Sequence, residues 1–477
     1  MSTLHDQAMS YIYQQVLHRL LEQLSQGQRA SLQLLIQRLL VAAGGLDQIG
    51  DFKVMLAYGG GKDSSFALAC LRAAQLSIAA RASATFELRV VTARHLGMSS
   101  VTIGNIERTY SALVMHDDSR VELLVLEDGC LQPFDARQAL SARQQQAERY
   151  DTLVTGHLTA GQVRPMFCNR FYLGLADLYR QGMSWQGGVD ALISADSLPE
   201  RKRYLAWGRR MMREAGVAST RPISAYPGVF LQGLGQLRRQ YVSEVLGRSD
   251  APLRPLPGLR RAPRLLDIAD LVQPTGYSRS AQLLDLLGYR NDELALGFTH
   301  SACANPLLMT HLCGLRAQFV QGREYADGIH EHLQHVRAQM RRTSMPPILQ
   351  AQAVEAWQGS ERLAQRRALA DGFAQQAYGV NESQWVCLLF APFVEQGRGL
   401  EGFLACCHPG MQMAAPFLHS ALQGLPAAQP LVQWLEEVSG LPLATLQMLY
   451  QRDSEARAGA LSLLARARDS DPERVRR

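Results

Sequence analysis

The sequence predicts an α/β protein: a doubly wound parallel sheet followed by a mostly α-helical C-terminal domain. Three observations predict it. Between residues 53 and 215, short apolar runs alternate with stretches of helical periodicity, the pattern of strands joined by crossover helices. The run Phe52-Lys-Val-Met-Leu-Ala-Tyr58 ends in Gly59-Gly60-Gly61 and passes directly into Lys62-Asp63-Ser64-Ser65 and a helix-like segment. Beyond residue 265, β-branched runs become scarce and helical spacing dominates. A chain of 477 residues holds enough material for two domains or more. The expected division is an N-terminal helical segment at 1–48, the α/β domain at 49–248, a Pro/Arg-rich linker at 249–265 and the helical domain at 266–477.

Each element has its own justification. Tyr11, Val16, Leu20, Leu21 and Leu24 recur at helical spacing, as do the apolar residues from Leu32 to Val41, so residues 3–44 read as two helices stopped by Gly44-Gly45. Strands are expected at 53–58, 86–93, 121–126, 151–155 and 220–224, and helices at 63–75, 102–115, 135–149, 165–181 and 199–215. Ser249 to Pro263 contains four prolines and is the linker candidate. Within the helical region, Trp385-Val-Cys-Leu-Leu-Phe390 reads equally as a strand or a buried helix. In a parallel sheet, ligands collect at the carboxyl ends of the strands. That rule places residues 59–65, Ala93 to Gly97, Glu127 to Cys130 and Gly156-His157 along one rim.

The stretch 59–65 has the chemistry of an anion cradle. Glycines let the main chain approach phosphate oxygens, and first-turn helix N–H groups point outward with the positive end of the dipole behind them. Lys62 supplies a compact charge, Asp63 a carboxylate for a cation, and Ser64 and Ser65 hydroxyls. It is neither a Walker A loop, since Asp63 separates Lys62 from the hydroxyls, nor a dinucleotide fingerprint, which needs a further glycine. The chain has only three lysines, Lys53, Lys62 and Lys202, among 49 basic residues, which makes Lys62 stand out.

Gly59-Gly60-Gly61-Lys62-Asp63-Ser64 resembles the pyrophosphate loop, Ser-Gly-Gly-x-Asp-Ser, of the PP-loop ATP pyrophosphatases, with Gly59 where the family usually has Ser. The form is similar to that of the tRNA 2-thiocytidine and tRNA-lysidine synthetases. Thr155-Gly156-His157 and Arg221-Pro222 follow in the family's order. The resemblance implies a HUP-type fold that cleaves ATP between its α and β phosphates with Mg²⁺, adenylates a substrate and releases pyrophosphate. It implies that Tyr58, Gly59, Gly60, Gly61, Lys62, Asp63, Ser64 and Ser65 surround the pyrophosphate, with Asp63 at the metal. Thr92 and His95 would face the adenosine, and Gly156 and His157 would border the nucleotide. Lys62, Asp63 and Ser64 would be catalytic. Cys130 stands where thiolating relatives carry a Cys-x-x-Cys pair, but Pro133 occupies the partner position; a single Cys130 acting as nucleophile is the expectation, with Cys168 as an alternative.

Composition bounds the partners. The net charge of +6 is mild for this length and does not by itself imply nucleic acid. The basic cluster of Arg201, Lys202, Arg203, Arg209, Arg210 and Arg213, and that of Arg254, Arg260, Arg261 and Arg264, read as a solvated helix face and a basic linker in preference to an RNA track. No uncharged apolar run reaches the length of a membrane span, and the N-terminus lacks the features of a signal peptide. Eight scattered cysteines fit a reduced, cytoplasmic protein. Cys303, His311, Cys313, His330, His332 and His335 match no standard zinc spacing, and neither do Cys406-Cys407-His408. The expected function is an ATP-driven adenylating enzyme forming a C–N or C–S bond on a small molecule or a carrier-bound acid. The alternatives are a tRNA-modifying enzyme and a non-catalytic ATP sensor, and a homodimer is compatible with each.

Overall fold

The computed structural model describes residues 3–194, 198–214, 216, 227–248, 263–272, 281–292, 304–342, 345, 347–453 and 463–464. Two N-terminal helices form as expected, α1 (Thr3–Gln23) and α2 (Gln26–Ala43), the second opened by a capping box of Ser25 and Gln28. Strand β1 (Lys53–Ala57) follows and sits inside a six-stranded sheet. Its Val54, Met55 and Leu56 have no exposed surface, as a strand covered on both faces requires.

Helix α3 (Lys62–Ala79) leads to β2 (Glu87–Ala93), and α4 (Ser100–Ala112) leads to β3 (Val121–Glu127). A short β4 (Cys130–Pro133) turns back against β3. Then come α5 (Ala142–Leu158), α6 (Pro165–Ser184), β5 (Ala191–Ser194), α7 (Leu198–Glu214), α8 (Pro227–Gln240) and β6 (Arg264–Asp267). The sheet order is β4-β3-β2-β1-β5-β6, with β4 antiparallel and every other pair parallel. The chain winds outward from β1 through β2 and β3, then crosses to the other side of β1 to add β5 and β6.

Alternation along β1 divides the core. Val54 and Leu56 pack with α1 to α4 and with two short helices, α9 (Ala269–Val272) and α10 (Ala281–Leu286). Met55 faces the other way, into a second core shared by α5 to α8 and the C-terminal helices. Those helices are α11 (Pro306–Leu315), α12 (Tyr325–Arg342), α14 (Ser360–Tyr378), α15 (Glu382–Phe390), α16 (Leu400–Cys407), α17 (Ala415–Leu422), α18 (Gln429–Ser439) and α19 (Leu443–Tyr450), while α13 (Pro347–Glu355) packs Ala353 in a small cluster with Val336, Met340 and Met345. The ambiguous run 385–390 is therefore helix, with Trp385 completely buried.

Several expectations are corrected. The strand expected at 151–155 is the second half of α5. Its threonines tolerate the helix because each hydroxyl donates to the carbonyl four residues back: Thr152 to Glu148 (2.9 Å), Thr155 to Asp151 (2.7 Å) and Thr159 to Thr155 (2.8 Å). The helix expected from 135 starts only at Ala142, after Ser141, whose Oγ accepts from Gln144 N. The strand expected at 220–224 lies outside the described residues, as do 249–262 of the linker. Arg264–Asp267, at the end of that linker, is the sixth strand of the sheet, paired with β5 from Ala191↔Arg264 to Ser194↔Asp267. Residues 264–272 and 281–287 thus complete the sheet and its cover, and the helix-rich region begins later than residue 266.

Two charge clusters, each built on a buried guanidinium, brace the fold. Lys53, which has no evident role in the sequence, bonds Glu122 (3.2 Å) and Glu87, while buried Arg89 pairs with the same Glu122. These contacts cross β1, β2 and β3. Elsewhere, completely buried Arg72 of α3 donates to Leu113 O (3.1 Å), Val114 O (2.9 Å), Gln75 Oε1 (2.7 Å) and Asp118 Oδ2 (2.8 Å). Burial alone would raise the Asp118 pKa, but Arg120 and Arg72 hold it down to about 2. Arg72→Met should destabilise the fold by about 3–5 kcal/mol, because it leaves Asp118 short of a partner and three acceptors unsatisfied. The stability supplied by Asp118 is complete above its unfolded value of 3.8 and lost as pH falls through about 2. Acid titration of the wild type and of Asp118→Asn checks this: the variant should lose that part of the acid dependence.

Candidate functional site

The glycine loop leaves the carboxyl end of β1 between two neighbours, β2 on one side and β5 on the other. The connections of β1 and β5 run in opposite directions from this point, which opens a crevice at the strand ends. Gly60 makes the turn at φ +71°, and a Cβ there would lie 2.7 Å from Ile106 Cγ1 and 3.0 Å from Thr102 O. Both the left-handed backbone and the wall formed by α4 therefore demand glycine. Gly61 is the N-cap of α3, and no side chain caps that helix. Gly59 and Gly61 are exposed, and the first-turn amides of α3 point out of the helix start toward the same space.

The side chains around the loop divide into two kinds. Ser65 is buried, donates to Gly61 O (2.8 Å) and shares a hydrogen bond with Tyr58 Oη (2.8 Å). Thr92 donates to Tyr58 O (2.8 Å). Tyr58, Ser65 and Thr92, expected as ligand contacts, thus also hold the loop through hydrogen bonds within the chain. Lys62, Asp63 and Ser64 stand at the mouth, Asp63 exposed and the other two partly so. Partial burial lowers the Lys62 pKa, against the opposing effect of Asp63. Ser64 Oγ donates to Gly61 O at 2.9 Å.

Two other expected clusters reach the same rim. The segment after β2 is tied to α5: Leu96 N donates to Glu148 Oε2 (2.8 Å), and Gln144 Nε2 donates to Arg94 O (2.7 Å). His95 lies here, edge-on to Phe171, with its pKa lowered by burial. Close by, Arg170 bridges Glu148 (2.9 Å) and Asp151 (3.6 Å), and Tyr241 donates to Asp151. This charged cluster was missed because Glu148 and Asp151 form an i, i+3 pair only if 148–151 is helix, and the sequence reads as a helix-to-strand junction there. The other cluster is the β3–β4 hairpin, turned by Asp128 and Gly129 at φ +51° and +70°. An Asp-Gly pair between apolar runs is a hairpin signal that could have found β4.

Cys130 begins β4 and is exposed. Three strand spacings separate β4 from β1, about 14 Å, so the structure does not bring Cys130 to the glycine loop. Gly156 and His157 are also placed elsewhere. They lie in the last turn of α5 rather than at a strand end, with Gly156 against Leu388 and the His157 ring 5.6 Å from that of Phe393. His157 is completely buried, and neither ring nitrogen has a hydrogen-bond partner. Residues 220–226, with Arg221 and Pro222, lie outside the described residues, as does Cys303, and so does the side chain of Cys168.

Two further histidines make contacts within the fold. His311 Nδ1 bonds Tyr325 Oη (2.8 Å), and His408 packs edge-on against Phe403 and Trp434. Among the described residues, no group of three His, Cys, Asp or Glu converges as metal ligands, and no helix is long and apolar enough to cross a membrane. Comparison with protein-family models, with curated proteins and with solved structures finds no match for this chain.

Burial lowers the His157 pKa to about 3, so the folded ring stays neutral while the unfolded one takes up a proton near 6.5. Its contribution is complete above pH 6.5 and declines as pH falls toward 3. His157→Leu should fold with unchanged or higher Tm and a flatter pH dependence over that window. A folded His157→Leu protein that no longer binds nucleotide would return the residue to the site.

Proposed function

We propose that the loop at 59–65 binds the phosphates of ATP and that the chain is an AMP-forming adenylating enzyme of the PP-loop, HUP-type fold. The observation that carries this reading is the position of the loop: an exposed, glycine-built helix start at the carboxyl end of β1, where the strand order reverses. The substrate class it favours is a small molecule or a carrier-bound acid.

The residues at the mouth fit a triphosphate. Gly59 has open space around it, Gly61 brings the backbone to the surface, and Lys62 and Ser64 border the helix start. An oxygen of the substrate attacks the α-phosphorus, the bond to the bridging oxygen breaks, and pyrophosphate leaves. Charge grows on the departing group, and the loop amides and the Lys62 ammonium would stabilise it there. Asp63 would hold Mg²⁺ together with phosphate oxygens, and the ion would neutralise the same developing charge. A second nucleophile then displaces AMP. Tyr58, Ser65 and Thr92 keep the loop in register for this step, and Cys130 is too distant from the loop to be its nucleophile in this conformation.

Incubation with α-labelled ATP, Mg²⁺ and a metabolite extract should yield AMP and pyrophosphate. AMP formed only with added tRNA would replace this reading by the tRNA-modifying one, and tight ATP binding without turnover would favour a sensor. Lys62→Ala and Asp63→Ala should each lower AMP formation about 10²–10³-fold, whereas Cys130→Ala should leave it unchanged. Gly59→Ser meets no atom within 4 Å, and its hydroxyl should tighten ATP binding by about 0.5–1.5 kcal/mol.

A further inference from the structure

Helix α7 carries six basic residues between Arg201 and Arg213 and no acidic residue among them. The structure sorts these cations. Arg201 pairs with Asp267 at the end of β6, and Arg203 and Arg210 are engaged in interactions of their own. Lys202, Arg209 and Arg213 are exposed, and no hydrogen bond or ion pair holds them among the described residues. At 3.6 residues per turn these three fall within about 40° of one line along the helix, separated by about 10.5 Å and about 6 Å. Ala206, also exposed, lies beside that line between the first two. The aromatic residues of α7 point the other way: Trp207 is buried, stacks with Tyr204 at 5.8 Å and packs on Tyr172 of α6 at 4.9 Å.

We propose that this face of α7 docks an acidic helix of a partner protein. The row is straight, as a neighbouring helix is straight, and its spacings equal those of carboxylates at i, i+4 and i+11 on an antiparallel partner. Ala206 leaves room for the partner backbone to approach between the charges. A single-stranded nucleic acid would be met by exposed aromatic rings among the cations, and here the rings are turned into the core. Such charge rows set orientation and association rate more than raw affinity, so the contact suits a partner that delivers its cargo and leaves. In the proposed reaction that partner is the carrier of the acid; this identification rests on the adenylation reading, whereas the docking surface does not.

The test uses the full chain and a helical peptide with Glu at i, i+4 and i+11, followed by fluorescence anisotropy at low and at physiological salt. Wild type should bind it in a salt-sensitive manner, and Lys202→Glu/Arg209→Glu/Arg213→Glu should bind about tenfold or more weakly. The same variant should recover binding with a peptide carrying Lys at those positions. ATP binding, measured in parallel, should be equal in both proteins; its absence from both would sink the adenylation reading and leave the docking result standing. Equal peptide affinity in wild type and variant would overturn the proposal. So would tighter, variant-sensitive binding of duplex RNA, which would make the row a phosphate track.

Discussion

Strand β1 is bonded to a parallel strand on each edge and covered on both faces, and the rest of the structure follows from that constraint. A parallel neighbour can be reached only through a crossover long enough to contain a helix. The crossovers to β2 and β3 place α3 and α4 on one face. The path from β3 to β5 then has to cover the other. Covering both faces is what makes Val54, Met55 and Leu56 a continuous apolar run. It is also what leaves the end of β1 as the natural opening, because the chain departs from β1 and from β5 in opposite senses.

That opening is held by contacts within the chain. Tyr58, Ser65 and Thr92 lock the loop from below, Ile106 walls it from the side, and Gly60 is confined between them. Ion pairs around buried guanidiniums work at a distance from it. Lys53, Arg89 and Glu122 cross three strands, and Arg72 gathers the carbonyls of Leu113 and Val114 with Asp118. Arg72 and Arg89 each bond both a carboxylate and a carbonyl oxygen, and that pairing fixes register as well as contributing stability.

Helix α5 shows where local reading and tertiary structure part. Its sequence from Tyr150 to Thr155 has the β-branched character of a strand, yet it continues a helix begun at Ala142. The strand preference is overridden because threonine hydroxyls can bond back along the helix, and because Leu153, Val154 and Leu158 find apolar partners among the C-terminal helices. With the helix come Glu148 and Asp151 on one face beside Arg170, and His157 inside the core rather than at the rim. Two motif matches thus separate physically: the glycine loop stands where a ligand can reach it, and the Thr-Gly-His does not.

By itself the sequence determined the α/β class, the first three strands, the two N-terminal helices and the glycine loop at the end of β1. These are legible because they are local: apolar runs of strand length, helical periodicity, and glycines followed by a helix start. Only the tertiary structure decided the strand order, the short β5 and β6, the distance of Cys130 from the loop and the burial of His157. Four-residue strands such as Ala191–Ser194 carry too little pattern to declare themselves and exist because an edge of β1 is there to pair with. Whether a polar residue faces a ligand or a core depends on which distant helix covers it, and no local stretch of the chain contains that information.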